Sequence, residues 1–349
     1  RSVLVPLHTA HGTELRLADE IVFRTEDPAG LWHCLVDVQT GRILKRENQH
    51  RHVDVVGNIS AQVQPSTPFD AAQLMPLQDT RLNIGSGLTE FGNTDANGDF
   101  SVPSASPDSV NVFVRLAGPF ARVYNDELGR VTPRIDAKAL PGSPINFIWD
   151  DSNSRASERD AYAHTLISHD FIKTLDPTFT GVDYIMPVAV DIGGRECNAW
   201  WDGWGINFLL PGQQCVNTAQ IADVVYHEYG HGITDWQYRP FAPSGAMHEG
   251  FSDYLAATMR NDPKIGNGFF GPGTSLRTVD NNMRVPDDVI GQVHHDGLII
   301  AAALWDLRQL IGAARTDSLF HFARYGLANN FDDYLLDVLV TDDDNGNIY

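Results

Sequence analysis

The chain has 349 residues, enough for two or three domains with separate hydrophobic cores. Its composition is that of a globular protein, without low-complexity tracts and without an apolar run long enough to span a bilayer. The formal net charge of −20 disfavours a nucleic-acid partner, because phosphate binding requires a surplus of positive charge. We therefore expect neither a membrane-spanning protein nor a nucleic-acid-binding protein.

The first 125 residues are predicted to be rich in β-structure. The segment LWHCLVDVQTGRILKR (31–46) alternates apolar and polar residues on both sides of Thr40-Gly41, which is typical of a β-hairpin. Short β-like segments separated by turn residues continue through 53–125 and predict a small antiparallel sandwich. Cys34 shares a strand face with Trp32 and Val36, so a buried thiol is the main interpretation. A thiolate that caps a metal from an inhibitory segment is the alternative.

After about residue 130 the pattern becomes mainly helical. The segment 156–175 has helical spacing, 183–192 is typical of a strand, and further helices are predicted around 219–238, 246–261 and 293–312. Cys197 and Cys215 are close in sequence, and a disulfide between them would stabilise the fold by roughly 3 kcal/mol. Two buried thiols are the alternative. We expect an α+β protein with regions 1–50, 53–128 and 130–349.

The segment VVYHEYGHGI (224–233) carries the strongest chemical signal. His227 and His231 lie four residues apart, so on a helix both imidazoles point to one side and can bind one tetrahedral Zn²⁺. Glu228 lies about 100° round the helix, within reach of a water beside the metal. Gly230 costs about 1 kcal/mol relative to alanine in a helix interior, which predicts that another segment or the substrate passes close to it.

The next predicted helix, MHEGFSDYLAATMR (247–260), supplies two acids four residues apart. Glu249 is predicted to be the third zinc ligand. Asp253 is predicted to accept the free N–H of a ligating histidine and to fix its tautomer. A solvated acidic helix face is the alternative, but the rest of the segment is too apolar to favour it.

Five segments resemble, in the same order along the chain, motifs of the thermolysin-like zinc peptidases and, for HEYGHGI, of the related fungalysins. They are CNAWWDG (197–203), DVVYHEYGHGITDW (223–236), SGAMHEGFSD (244–253), SLRTV (275–279) and GQVHHDGLIIAAALWDL (291–307). The resemblance covers about residues 150–310. Residues 31–46 also resemble the end of the family's propeptide, and 53–125 resemble a carboxypeptidase-regulatory-like sandwich.

The resemblance implies a two-lobed zincin catalytic domain with a β-rich upper lobe, a helical lower lobe and one catalytic zinc in the cleft between them. It implies a secreted zymogen that cleaves protein or peptide substrates, with possible intramolecular inhibition by residues 1–50. In this family Glu228 would be the general base, Arg277 would bind the nearby carbonyl, and His294, rather than His295, would stabilise the transition state.

The resemblance also implies how substrate is held. Three residues would bind the substrate backbone as an added β-strand: Asn198, Ala199 and Trp201. Val224 and Leu276 suggest an apolar pocket on the leaving-group side. The acid that orients His294 would be Asp288 or Asp287, and Tyr238 is a candidate for the family's assisting tyrosine.

A structural calcium is possible, but we do not expect it at Asp223. Thermolysin-like enzymes bind calcium with an aspartate at that position and a glutamate at the position of Arg260. A guanidinium cannot ligate a cation but can pair with a carboxylate. We therefore predict an Asp223–Arg260 salt bridge in place of calcium.

Two alternatives to a zinc endopeptidase remain open. A zinc aminopeptidase would carry an exopeptidase motif before His227 that captures the α-amine; the sequence shows none, and NAWW favours mid-chain binding. A latent or adhesive secreted protein would use the zinc domain only as a scaffold. Every catalytic position is filled, which argues against the scaffold.

Overall fold

A computed structural model describes residues 1–9, 12–26, 29–48, 53–85, 90–104, 106, 108–194 and 197–343. The protein is α+β, as predicted. Its strands are β1 (Ser2–Thr9), β2 (Gly12–Glu26), β3 (Ala29–Asp37), β4 (Ile43–Asn48), β5 (Val53–Val63), β6 (Gln73–Pro76), β7 (Arg81–Ile84), β8 (Glu90–Asn93), β9 (Asp99–Ser104), β10 (Val110–Arg115), β11 (Ala121–Asn125), β12 (Arg134–Ala139), β13 (Ile145–Trp149), β14 (Met186–Ile192), β15 (Ala199–Trp201), β16 (Ile206–Leu209), β17 (Lys264–Ile265) and β18 (Arg277–Thr278).

The helices follow mainly after residue 150. They are α1 (Ala156–Leu175), α2 (Ala222–Tyr238), α3 (Gly245–Arg260), α4 (Val293–Ile311), α5 (Ala313–Ala323) and α6 (Phe331–Asp342), with 3₁₀ turns at Thr218–Gln220 and Arg324–Gly326. Polar side chains cap several of them: the Ser244 hydroxyl accepts the N–H of Met247 at the start of α3. In the described part of the chain, no helix is long and apolar enough to cross a membrane.

The first sheet is an antiparallel meander in the order β1-β2-β3-β4. Its last turn lies where the sequence predicted it: the Asp37 carboxylate accepts the N–H groups of Gln39 and Thr40, and Gly41 has a φ of +68°. Cys34 is buried, which confirms the interpretation of a core thiol.

Two four-stranded sheets form the middle of the chain. One contains β13-β5-β6 with β9 also paired to β5, and the other is β12-β10-β7-β8. The expected antiparallel pairing holds for most strands, but β13 and β5 are parallel. Strand pairing also crosses the predicted boundary between 128 and 130, because β12 pairs with β10. The division into three domains stays a proposal.

A further sheet, β11-β14-β16-β15, leads into the helical part of the chain. Strand β15 lies at its edge, antiparallel to β16. Cys197 and Cys215 form the predicted disulfide, which ties the start of this edge to the segment before α2. The Thr218 hydroxyl strengthens the same connection by donating to the carbonyl of Asn198. The start of the edge strand β15 and the segment that leads into α2 are therefore held together by a covalent link and a hydrogen bond.

Helix α3 packs closely against both α2 and α4 through small residues. A Cβ on Gly230 would lie 3.0 Å from the Cα of Ser252, so the close approach predicted for this glycine is made by α3. Between α3 and α4, a Cβ on Gly250 would lie 2.5 Å from the carbonyl oxygen of Gly297. This packing brings the residues of three helices to one cleft.

Candidate metal centre

Three side chains from α2 and α3 converge on one point of the cleft. His227 Nε2 lies 3.2 Å from Glu249 Oε2, and His231 Nε2 lies 3.7 Å from the same oxygen. All three atoms are within 4.8 Å of one another. The predicted ligand set is therefore brought together, with both histidines offering Nε2.

The residues present fit a zinc ion. Tetrahedral ligands about 2.0–2.1 Å from zinc are roughly 3.3–3.5 Å apart, close to the two distances to Glu249. Glu249 Oε2 is buried and makes no hydrogen bond among the described residues, although imidazole nitrogens surround it. A buried oxygen left in this state is suited to a metal, because an unsatisfied polar atom otherwise costs free energy.

Glu228 also faces the cleft from α2 and is buried. Burial raises the pKa of its carboxyl to about 7, in spite of the nearby His227, which lowers it. The backbone N–H of Trp201 donates to this carboxylate. A carboxyl with a pKa near neutrality can both take and release a proton, which is the property that a general base and acid needs.

Asp253 faces His227 on the side of its Nδ1 nitrogen. Its Oδ1 is 2.8 Å from His227 Nδ1, and its side chain is fully buried. Arg277 donates to both of its oxygens, through Nε and Nη2 at 2.7 Å each. Burial raises the pKa of Asp253, but Arg277 and His227 outweigh burial and keep it below the ordinary value. Asp253 thus stays an acceptor that can hold the Nδ1 proton of His227.

Of the two adjacent histidines at the start of α4, His294 lies beside the ligand group. Its Nε2 is 3.5 Å from Glu249 Oε2, whereas His295 Nδ1 faces Asp296 at 3.3 Å. Neither of the acids expected to orient His294, Asp288 and Asp287, makes a described contact with it; Asp288 Oδ2 instead accepts the N–H of Arg284. The Nδ1 of His294 faces Gln292 Nε2 at 3.1 Å instead.

The residues predicted to hold substrate line the same cleft, which has a volume of about 740 Å³. Ala199 and Trp201 lie in β15, and Asn198 immediately precedes that strand. An edge strand can pair with an extended peptide, so its position suits the predicted strand addition. The lining also contains an apolar group next to Arg277: Val224, Ile265, Phe269, Phe270 and Leu276.

Tyr238 cannot assist at this cleft. It is fully buried, and its hydroxyl donates to the carbonyl of Ala328 at 3.0 Å. The assisting role considered for it from the sequence was therefore wrong, because its hydroxyl is buried in the core and does not line the cleft.

The predicted Asp223–Arg260 ion pair is also wrong. The Asp223 carboxylate accepts the backbone N–H groups of Gly266 and Asn267, at 2.7 and 3.1 Å. Arg260 instead donates to the Pro65 carbonyl at 3.0 Å and to the hydroxyl of Ser66. The segment after α3 folds back over α2 and supplies the donors that Asp223 needs. Burial raises the pKa of Asp223 to about 6, and these bonds oppose the rise.

His248 is the main site residue that the sequence prediction missed. Its Nδ1 is 2.6 Å from His231 Nδ1, and its Nε2 is 3.7 Å from Asp235 Oδ1. A signal was present, because Asp235 continues the four-residue spacing of His227 and His231, and His248 directly precedes Glu249.

Comparison with known proteins supports the fold. No family model matches this sequence, and no curated protein sequence does. Among solved structures, the chain is similar to the precursor of protealysin, a metalloproteinase from Serratia proteamaculans. The TM-score is 0.52 at 17% identity, and the match covers 63% of this chain and 80% of that chain. At this identity the likeness shows the fold and does not show the fungalysin-like assignment. The chain has the fold of a metalloproteinase precursor.

Proposed function

We propose that this protein is a zinc-dependent endopeptidase. The observation that carries the proposal is the convergence of His227, His231 and Glu249 on one point, with Glu228 on its cleft side. A zinc ion held there would polarise the scissile carbonyl and lower the pKa of a bound water. Among the described residues, this cluster is the one whose spacing suits a metal, so we propose one catalytic zinc.

Other side chains of the cleft are assigned to proton transfer and to stabilisation of the developing negative charge. Glu228, buried in the cleft beside the proposed ligands, takes a proton from the attacking water and passes it to the leaving amine. His294 and Arg277 donate to the oxygen on which negative charge develops. Because Nε and Nη2 of Arg277 bind Asp253, its Nη1 is the nitrogen that we assign to the substrate.

The shape of the cleft favours an endopeptidase over an aminopeptidase. An aminopeptidase needs an acid that binds the substrate's α-amine. The acids among the described lining residues are Glu228 and Glu249, and both already have roles in the proposed reaction. The edge strand β15, in contrast, can pair with a substrate that continues in both directions. We therefore assign mid-chain cleavage of proteins or peptides.

The disulfide supports a proposed extracellular location, because such bonds persist mainly in oxidising compartments. The neighbouring fold is that of a precursor, which supports a zymogen with residues 1–50 as its propeptide remnant. Among the described residues, those that line the cleft all lie at or after Cys197. The described residues among 1–50 therefore make no contact with the cleft that would support inhibition by this region.

Glu228→Gln tests the proposed function directly. We expect the variant to keep stoichiometric zinc and to lose cleavage of casein, because the substitution removes the base but no ligand. His227→Ala and Glu249→Ala should lose the zinc. The measurements are zinc content of the purified chain and casein hydrolysis with and without a chelator.

Glu127→Gln is the matched control, since Glu127 is exposed, pairs with Arg155 and does not line the cleft. It should retain zinc and activity. A wild-type chain that binds zinc but does not cleave casein or unfolded peptides would favour the scaffold alternative. Loss of zinc in Glu228→Gln would show that the roles of Glu228 and Glu249 are misassigned.

A further inference from the structure

A series of polar contacts runs from Nδ1 of the proposed ligand His231 through His248 and Asp235 to Trp201. His231 Nδ1 is 2.6 Å from His248 Nδ1, and His248 Nε2 is 3.7 Å from Asp235 Oδ1. The other oxygen of Asp235 accepts the indole N–H of Trp201 at 2.9 Å. Asp235 therefore contacts both the imidazole behind a ligand and the strand proposed to bind substrate.

The distances determine how protons are distributed. His231 presents Nε2 to Glu249, so a neutral His231 that binds metal through Nε2 carries its proton on Nδ1. Two nitrogens 2.6 Å apart can share only one proton, so His248 Nδ1 is an acceptor and its own proton lies on Nε2. That nitrogen faces Asp235, whose negative charge favours this tautomer, although 3.7 Å is beyond hydrogen-bond length.

A second acceptor is available to His231. The hydroxyl of Ser252 lies 3.1 Å from the same Nδ1. The shorter distance to His231 Nδ1 favours His248 as the acceptor. The negative charge of Asp235 also stabilises the tautomer of His248 in which Nδ1 accepts. Ser252 is also engaged in the close contact of α3 with Gly230, which gives it a packing role.

Trp201 adds a connection to the substrate side. Its ring packs on α2, where a Cβ on Gly232 would lie 3.1 Å from the indole. Its backbone N–H donates to the Glu228 carboxylate, and its indole N–H to Asp235. Strand β15 is thus bonded to α2 at Glu228, which precedes His231, and at Asp235, which follows it.

We propose that His248, oriented by Asp235, is a positioning residue that accepts the Nδ1 proton of His231 and fixes this ligand for zinc. We further propose that Asp235, by also binding Trp201, keeps the substrate-binding strand in register with the metal ligands. Both parts rest on the proposed zinc peptidase function. In this proposal each histidine ligand has a supporting carboxylate: Asp253 contacts His227 directly, and Asp235 acts on His231 through His248.

The test measures zinc affinity of the full chain by chelator competition, for the wild type and four variants. His248→Leu removes the acceptor and should weaken zinc binding about 10- to 100-fold. His248→Asn restores an acceptor and should recover most of the affinity. Asp235→Asn, which can still accept from Trp201, should weaken zinc binding less than His248→Leu. Ser252→Ala should bind zinc like the wild type.

Two further measurements separate positioning from folding. Circular dichroism and the melting temperature of each zinc-free variant should match those of the wild type. Substitution by cobalt(II) should give visible absorption bands that shift in His248→Leu and return in His248→Asn. His295→Leu is the matched control, because His295 faces Asp296 and makes no described contact with the ligands.

The outcomes separate the two proposals. Unchanged zinc affinity in His248→Leu overturns the positioning role and leaves the peptidase proposal intact. Weak binding in Ser252→Ala with normal binding in His248→Leu also overturns it, because Ser252 would then be the acceptor. A wild-type chain that does not bind zinc stoichiometrically overturns both proposals. A further variant, Asp235→Leu, cannot accept from Trp201. A raised KM in Asp235→Leu, with kcat changed less, supports the connection to the substrate strand; an unchanged KM overturns that connection.

Discussion

At the scale of single residues, Asp253 shows how one buried carboxylate serves two groups of the site. It faces His227 Nδ1 and receives two hydrogen bonds from Arg277. Because Asp253 is fully buried, its negative charge depends on Arg277, and loss of that guanidinium would leave an uncompensated buried charge. The arginine proposed to contact substrate is therefore held by the same acid that holds a proposed zinc ligand.

His294 is expected to act on the transition state rather than on the metal. His294→Ala should lower kcat by about two to three orders of magnitude while zinc content stays unchanged, because it removes a donor to the developing oxyanion. Kinetics on a short peptide and metal analysis of the same preparation would measure both effects.

The neighbouring histidine is the control for this prediction. His295→Ala should leave kcat close to that of the wild type, since His295 faces Asp296. If His295→Ala were the damaging substitution instead, the assignment of the two histidines would have to be exchanged.

Local spacing explains which site residues could be predicted. His227, His231, Glu249 and Asp253 lie on helices, where a four-residue separation fixes a common face. The partners of Asp223 could not be found in this way, because they are backbone N–H groups of a segment that folds back over α2. Gln292 was missed for a related reason: the path of the loop before α4 decides which polar group faces His294.

At the scale of elements, glycines set the distance between helices that carry the site. A Cβ on Gly250 would lie 2.2 Å from Ile300 Cγ2 and 2.5 Å from the Gly297 carbonyl oxygen, so α4 would have to move away from α3. Gly250→Ala should destabilise the protein by about 1–3 kcal/mol, in spite of alanine's better helix propensity. It should also lower kcat, because α3 carries Glu249 and α4 carries His294.

Thermal unfolding and peptide kinetics would measure the two effects of Gly250→Ala. Gly193→Ala is the matched control, because a Cβ there would meet no atom within 4 Å. Equal stability and kcat for Gly250→Ala and the wild type would mean that α3 and α4 tolerate a wider separation than the structure shows.

The contact of α1 with α2 makes stability depend on pH. His164 on α1 is buried, with Nδ1 2.9 Å from the Tyr226 hydroxyl and Nε2 3.0 Å from the Gln64 carbonyl. The carbonyl requires a proton on Nε2, so Nδ1 accepts from Tyr226 and the ring is neutral. Burial lowers the pKa of His164 from 6.5 to about 4.

The sign of the pH effect follows from this lowered pKa. Between about pH 6.5 and 4 the unfolded chain binds a proton that folded His164 does not, so stability falls as the pH falls. The loss from this residue should reach about 3 kcal/mol. In His164→Gln the loss of stability with falling pH should be smaller, as measured by urea unfolding at several pH values. His295→Gln should keep the wild-type slope, and an unchanged slope in His164→Gln would contradict the prediction.

Periodicity predicted the helices well, and sheet pairing poorly. Helix α1 has the predicted bounds, and α2, α3 and α4 lie within a few residues of theirs. The parallel pairing of β13 with β5 joins Ile145 to Gly57, far apart in sequence. Such pairing depends on which distant strand completes the hydrophobic core, and a pattern of alternating residues does not contain that information.

At the scale of the whole molecule, the N-terminal sheet and the cleft are separate features of the described chain. Several large apolar side chains of the β1-β4 sheet are exposed, among them Leu4, Leu15, Ile21 and Phe23. The described residues that line the cleft all lie at or after Cys197. The described residues of the sheet therefore do not line the cleft.

This arrangement predicts the effect of cutting the chain between the sheet and the rest. Replacing residues 49–52 by the recognition sequence of a specific protease would allow the cut to be made in the purified protein. Because the described residues of the sheet do not line the cleft, kcat/KM for a short peptide should change by less than about twofold after cutting. Zinc content should also stay the same. The replaced but uncut chain is the control. A rise of about tenfold or more on cutting would show that residues 1–50 inhibit the enzyme, and would mean that they reach the substrate by a route absent from the described contacts.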